Sequence, residues 1–137
     1  MRHKNRFARK SKGTSLTEAI VAAIIIVPVA LFLLDLSVLV IANSINDKAA
    51  KNAARAAANH GNVNDSFNAA NKSISTFRSS PIVKSLEIKA FKFPNSNNLT
   101  AVSCTTRMVV KLPVPFPGFD NITFVAKAVE PIVGQVN

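Results

Sequence analysis

Residues 19–42, AIVAAIIIVPVALFLLDLSVLVIA, form an apolar run of 24 residues with a single charged side chain, Asp35. As a helix this run extends roughly 36 Å, enough to cross a bilayer with some tilt. Much of the apolar content of the 137 residues is thereby withdrawn from any water-excluding core, and what remains suits one small domain. A cleavable secretory signal has an apolar region of about 7–15 residues followed by a small-residue cleavage site. This run is longer and no such site follows it. The expectation is a span that stays attached to the chain.

The charges around the run give it a direction. Six of the 17 Lys/Arg (Arg2, Lys4, Arg6, Arg9, Lys10 and Lys12) lie in residues 1–13, which hold no acid; without them the formal charge of +10 drops to +4. A cationic flank before an apolar run is a topology signal that keeps the N-terminus in the cytoplasm and sends the rest of the chain across. A nucleic-acid surface would interleave cations with exposed aromatics. Here there is no Trp or Tyr, and the nine Phe fall mostly at core positions, so nucleic acid is not an expected partner.

Catalytic and metal chemistry find little material. Cys104 is the sole cysteine, which rules out an intramolecular disulfide and a cysteine-rich metal site. It alternates with apolar residues in a strand pattern, the setting of a small buried hydrophobe. His3 and His60 fall in the basic leader and at a helix end, without the converging ligands a metal needs. There is no Ser/His/Asp set, no Gly-rich phosphate loop and no pair of acids at active-site spacing. The expected protein is not an enzyme and takes no cofactor.

The helix should continue past the apolar run. Residues 43–60, NSINDKAAKNAARAAANH, are rich in helix formers and carry a small-residue stripe through Ala42, Ile45, Ala49, Ala53 and Ala56. Asp47 and Lys51 form an i,i+4 pair in the favoured order, and Gly61 is a stop signal. A continuous helix from Thr14 to His60 is roughly 70 Å long, with a kink or local opening expected at Pro28. The alanine stripe admits close approach, either by the chain's own C-terminal domain or by adjacent helices.

Beyond residue 61 the fold class is α+β. Phe67, Ala70, Ile74 and Phe77 recur at helical spacing, predicting a short amphipathic helix over residues 65–78 that Pro81 ends. Residues 82–93 alternate as a strand, with Leu86, Ile88 and Ala90 on one face and a phase slip at Ala90–Phe91 that suggests a bulge. Residues 99–112 give the clearest alternation: Val102, Cys104, Thr106, Met108, Val110 and Leu112 on one face, Thr105, Arg107 and Lys111 on the other. Residues 113–121, PVPFPGFDN, read as a proline-stiffened loop, and residues 122–131 as a third strand. The result is an antiparallel sheet of about three strands packed on the helix of residues 43–60. Asn64, Asn71, Asn98 and Asn121 each begin an N-x-Ser/Thr sequon, a weak signal in a chain so rich in these residue types.

Two acids mark the apolar segment. Glu18 opens it and Asp35 lies seventeen residues further on. A carboxylate there is costly unless something satisfies it. Glu18 has two readings, a group resting at the headgroup level or a group that meets a partner. Asp35 either snorkels outward or pairs with a cation of another subunit.

The stretch SKGTSLTEAIVAAII places a basic leader, Gly13, an acid five residues later and a long apolar run in register. It resembles the class III prepilin signal, which implies a cut between Gly13 and Thr14 by a membrane-embedded prepilin peptidase and Glu18 as the fifth mature residue. With the Ala-rich AAKNAARAAANHG and the closing ITFVAKAVEP, about half the chain is similar to TadE/TadG-like minor pilins or pseudopilins of the tight-adherence branch of type IV pili. The resemblance implies three regions: a leader over residues 1–13, a transmembrane and assembly helix over 14–61, and a small extracytoplasmic domain over 62–137. It implies as partners copies of the chain or other pilin subunits in a fibre, the prepilin peptidase and the assembly platform in the membrane. In that setting the Thr14 amine of one subunit and the Glu18 carboxylate of a neighbour would neutralise each other, fixing register more than adding stability. Two departures stand out: Pro28 lies ten residues after Glu18, and the first mature residue would be Thr14 instead of the Phe common in type IV pilins. Two other expectations compete, a pseudopilin of a type II-like secretion system and an unprocessed, signal-anchored surface protein.

Overall fold

The computed structural model describes residues 12–78, 80–94, 100–116 and 119–133. The leader through residue 11 and residues 79, 95–99 (with the sequon position Asn98), 117–118 and 134–137 lie outside the described residues. The order of elements is α1 (Lys12–Ala58), α2 (Val63–Ser75), β1 (Val83–Lys92), β2 (Ala101–Phe116) and β3 (Phe119–Pro131). This is the α+β architecture expected, a long N-terminal helix continuing into a short helix and a three-stranded antiparallel sheet of order β1-β2-β3.

Helix α1 runs through Pro28 without interruption. It contains an 18-residue window of mean hydropathy 2.9, of which 6% is buried, and is long and apolar enough to cross a membrane. The hydroxyl of Ser37 donates to the Leu33 carbonyl at 2.9 Å, so this polar group is satisfied inside the apolar stretch. The helix stops where its last carbonyls find other donors: His60 N–H reaches the Ala57 carbonyl at 3.2 Å, and Val133 N–H reaches the Ala58 carbonyl at 3.1 Å. The second bond ties the end of α1 to the segment after β3.

Helix α2 begins two residues earlier than its apolar spacing predicts, because its start is set by a cap. Asn62 is extended (φ −129°, ψ 156°); its side-chain oxygen accepts the Asp65 N–H at 2.8 Å and its amide donates to the Asp65 carboxylate at 2.6 Å. The first bond satisfies a backbone donor that the first turn leaves open, and the second holds the capping side chain in place. Ala70 and Ile74 are buried, and Phe67 meets Phe91 of β1 edge to face with ring centroids 5.4 Å apart.

The core lies between the sheet and the second half of α1. Every inward position expected on β2 is buried: Val102, Cys104, Thr106, Met108, Val110 and Leu112. Val102, Cys104, Met108 and Val110 share one core cluster with Ala42, Ala49, Ala50, Ala53, Ala54 and Ala57 of α1. Small side chains on the helix and large ones on the strand fill the space together, which lets the backbones approach closely while keeping native packing density. Ala56, expected in the stripe, is only half-buried; Asn46, Ala50, Ala54 and Ala57 carry the face instead. The second contact surface, against α2, broadens the buried arc beyond the single stripe that the spacing suggested.

Two strand expectations need correction. The pairing of β1 with β2 shifts register between Ile88 and Ala90, so Ala90 turns outward and Phe91 becomes half-buried; the bulge comes one residue before the point where the pattern slips. Of residues 113–121, expected as a loop, 113–116 and 119–121 are strand, while 117 and 118 lie outside the described residues. Strand β2 continues to Phe116, β3 starts at Phe119, and these two residues pair. Beyond Lys111, whose N–H reaches the Ile82 carbonyl at 3.3 Å, β1 no longer flanks β2. That freed edge needs no ladder donors, so Pro113 and Pro115 are tolerated there, and the register shift between Lys111 and Phe116 accommodates them.

Candidate functional site

The candidate site is the apolar part of α1 with the hairpin end that meets it. From Leu16 to Leu34 the large side chains of α1 are exposed, and further along Val40 is 71% and Ile41 53% exposed. A stripe of this length is not stable against water alone and marks contact with lipid or protein. The alanine face is different: the chain's own sheet and α2 cover it. Of the two occupants open to that stripe, the C-terminal domain is the one present.

Gly13 and Thr14, the expected processing pair, lie in the first turn of α1. Glu18 is exposed, one turn further along. Among the described residues it has no hydrogen-bond or ion-pair partner.

Asp35 is placed otherwise. It is 5% exposed, and its carboxylate accepts the Val114 N–H at 3.2 Å. The partner is a backbone donor of the same chain, brought down along α1 by the continuation of β2. Val114 also lines a shallow groove with Pro28, Val29, Leu31 and Phe32. A second open groove on α1 is lined by Leu33, Leu36, Ser37, Val40 and Ile41. Glu18 and Asp35 are therefore not brought together: one is exposed at the start of the helix, the other is held by the sheet. Sequence reasoning missed Val114. The signal available was the triple alternation Pro113, Pro115, Pro117, which describes an edge strand as well as a loop.

The remaining polar contacts hold the domain to the helix. Arg55 Nε donates to Glu130 Oε1 at 3.1 Å, joining α1 to β3 at an exposed rim, where a pair contributes about 0–1 kcal/mol. Inside the interface, the Thr106 hydroxyl donates to Asn46 Oδ1 at 2.9 Å. Asn46 Nδ2 is buried without a partner among the described residues. Burial pushes the Cys104 thiol up from 9.0 to about 11, so it stays protonated and unreactive at neutral pH. Among the described residues no group of three or more His, Cys, Asp or Glu converges. No known protein family, curated protein or solved structure matches the chain.

Proposed function

We propose that the chain is a pilin-like structural subunit, a TadE/TadG-like minor pilin or pseudopilin of a type IV pilus, processed after Gly13 and assembled through α1. In this reading α1 anchors the subunit in the cytoplasmic membrane with its N-terminus in the cytoplasm. The domain that follows is extracytoplasmic and reaches the cell surface in the fibre. The prepilin peptidase trims the leader, the assembly platform extracts the subunit, and the helices of neighbouring copies replace lipid around α1.

The observation that carries the reading is the division of α1 into two kinds of surface. Its second half is covered by its own domain through alanines, while its first half is apolar, exposed and headed by Glu18, an exposed acid with no partner among the described residues. A membrane anchor alone needs the apolar surface but not the acid at its start. A helix that moves from lipid into a bundle of like helices uses both, since the acid can meet the new Thr14 amine there.

The test is processing. Co-expression with the cognate prepilin peptidase should shorten the chain by its first 13 residues, exposing Thr14, and Gly13→Ala should block most of this. Met1 or Arg2 as the first residue of surface-exposed material would overturn the proposal in favour of an ordinary signal anchor.

A further inference from the structure

We propose that the outer face of the sheet is a binding surface for an acidic polysaccharide, a chain of sugars bearing carboxylates. The face belongs to the domain alone and lies beyond the fibre role of α1; only its access to polymers outside the cell rests on the proposed orientation.

The strand pairings decide which side chains share that face. With the alternate residues of β2 buried against the helices, Arg107 and Lys111 point outward from β2, and Lys127, opposite Thr105, points outward from β3. On β1 the register shifts fall between Val83 and Ser85 and between Ile88 and Ala90, so the extra residues are Lys84 and Lys89. Both are exposed, as is Lys92 opposite Ser103. Each bulge thus adds a lysine to the outer face. Two contacts show side chains meeting there: Lys84 Nζ donates to Asn121 Oδ1 at 3.4 Å across β2, and Arg107 Nη1 lies 3.8 Å from Glu87 Oε1. Among the described side chains of this face, six are cations and Glu87 is the sole acid. The densest part lies away from the β2–β3 hairpin. Lys89, Lys92, Arg107 and Lys127 there occupy about 13 Å along the strands and about 10 Å across them.

A face that only confers solubility mixes both signs of charge. One sign spread over three strands makes a positive field that gathers polyanions. Among polyanions, geometry and side-chain chemistry favour a sugar polymer. Helix α1 packs on the inner side of β2 and β3, so the outer face looks sideways from the helix axis. With α1 across a bilayer, this face looks over the membrane surface and not down onto headgroups. Phe91 and Phe124 pack inward, and no described side chain of the face is aromatic, which leaves nucleobases no stacking platform. Five of the six cations are lysines, compact point charges without the fork that suits phosphate. Between them Ser103, Thr105 and Thr123 present hydroxyls, which can donate to and accept from sugar hydroxyls. Carboxylates at intervals with hydroxyls between them match that pattern.

In the experiment the full chain, reconstituted in phosphatidylcholine nanodiscs, is titrated with fluorescein-labelled oligogalacturonate, its methyl ester, oligothymidylate and polyglutamate of matched length. Oligogalacturonate should bind most tightly, and its binding should weaken as salt is raised. The methyl ester keeps the sugar and loses the charge, and should bind several-fold more weakly. Lys89→Gln with Lys127→Gln should weaken oligogalacturonate binding several-fold and leave the urea midpoint in place, while Glu87→Gln should tighten it. Lys48→Gln with Lys72→Gln removes the same charge from exposed positions of α1 and α2 and should change little. Equal loss in the two double variants would mean that net charge alone is read, and overturns the site. Oligothymidylate, polyglutamate or the methyl ester bound as tightly as oligogalacturonate overturns the polysaccharide assignment. No binding at low salt leaves the lysines a solubilising face, and the surface role falls. None of these outcomes bears on cleavage after Gly13, so the fibre reading stands or falls separately.

Discussion

Cys104 shows how a single residue couples the core to pH. Its thiol is wholly buried on the inner face of β2 and ionises only near pH 11 in the folded chain, against 9.0 when exposed. Between those values the unfolded chain has released the proton and the folded chain has not, so stability falls as pH rises from about 9 to about 11 and levels off beyond. The loss should be on the order of 3 kcal/mol. Urea unfolding across this range should show the decline in wild type and its absence in Cys104→Ala. Glu18 makes the contrasting case, an exposed acid whose effect should appear only on assembly. Glu18→Ala should still insert, be cut after Gly13 and fold its domain. If the chain is the proposed fibre subunit, the variant should then be depleted from sheared fibres, because a Thr14 amine buried there without its partner would cost roughly 3–5 kcal/mol. Equal recovery of wild type and variant in fibres would make the carboxylate a bystander.

For the elements, the alanine face of α1 decides how close the sheet can come. Ala53 is fully buried in the core cluster that α1 shares with the sheet and α2. Ala53→Leu should push α1 and the sheet apart and destabilise the domain by about 1–3 kcal/mol, read as a lower urea midpoint for labelling of Cys104. The reciprocal change on the strand, Met108→Ala, should open a cavity and cost about 2–5 kcal/mol by the same readout. The inner face of β2 was legible because the period of two is unbroken from Val102 to Leu112 and one face is wholly apolar or small. The end of β2 was not legible. Prolines report only that no ladder donor is present, and both a loop and a strand edge meet that condition. The same limit applied to Ala90: alternation locates a slip, but the pairing partner decides which residue is extra.

On the scale of the whole molecule, the basic flank and the apolar helix make a statement about sides. In the proposed orientation a periplasm-active reporter fused after Asn137 should be active, and a cytoplasm-only reporter there should be silent. The reverse pattern would remove any role outside the cell. The domain and the helix should also behave as one body in this assay. The Arg55–Glu130 pair, the Val133–Ala58 bond and the Asp35–Val114 bond fasten the sheet to α1 at three heights.

The sequence by itself determined the long apolar helix, its continuation as an alanine-rich helix, the α+β class and the inward residues of β2. Each of these is a periodicity or a run, a property of neighbours along one chain that elementary geometry translates directly. Tertiary structure alone decided that the alanines are covered by the chain's own sheet, that Asn46 and Thr106 meet, and that Asp35 is satisfied by Val114, 79 positions away. Such pairings depend on strand order and register, which place side chains remote in sequence at one height on α1. No local pattern around Asp35 or Val114 encodes that height.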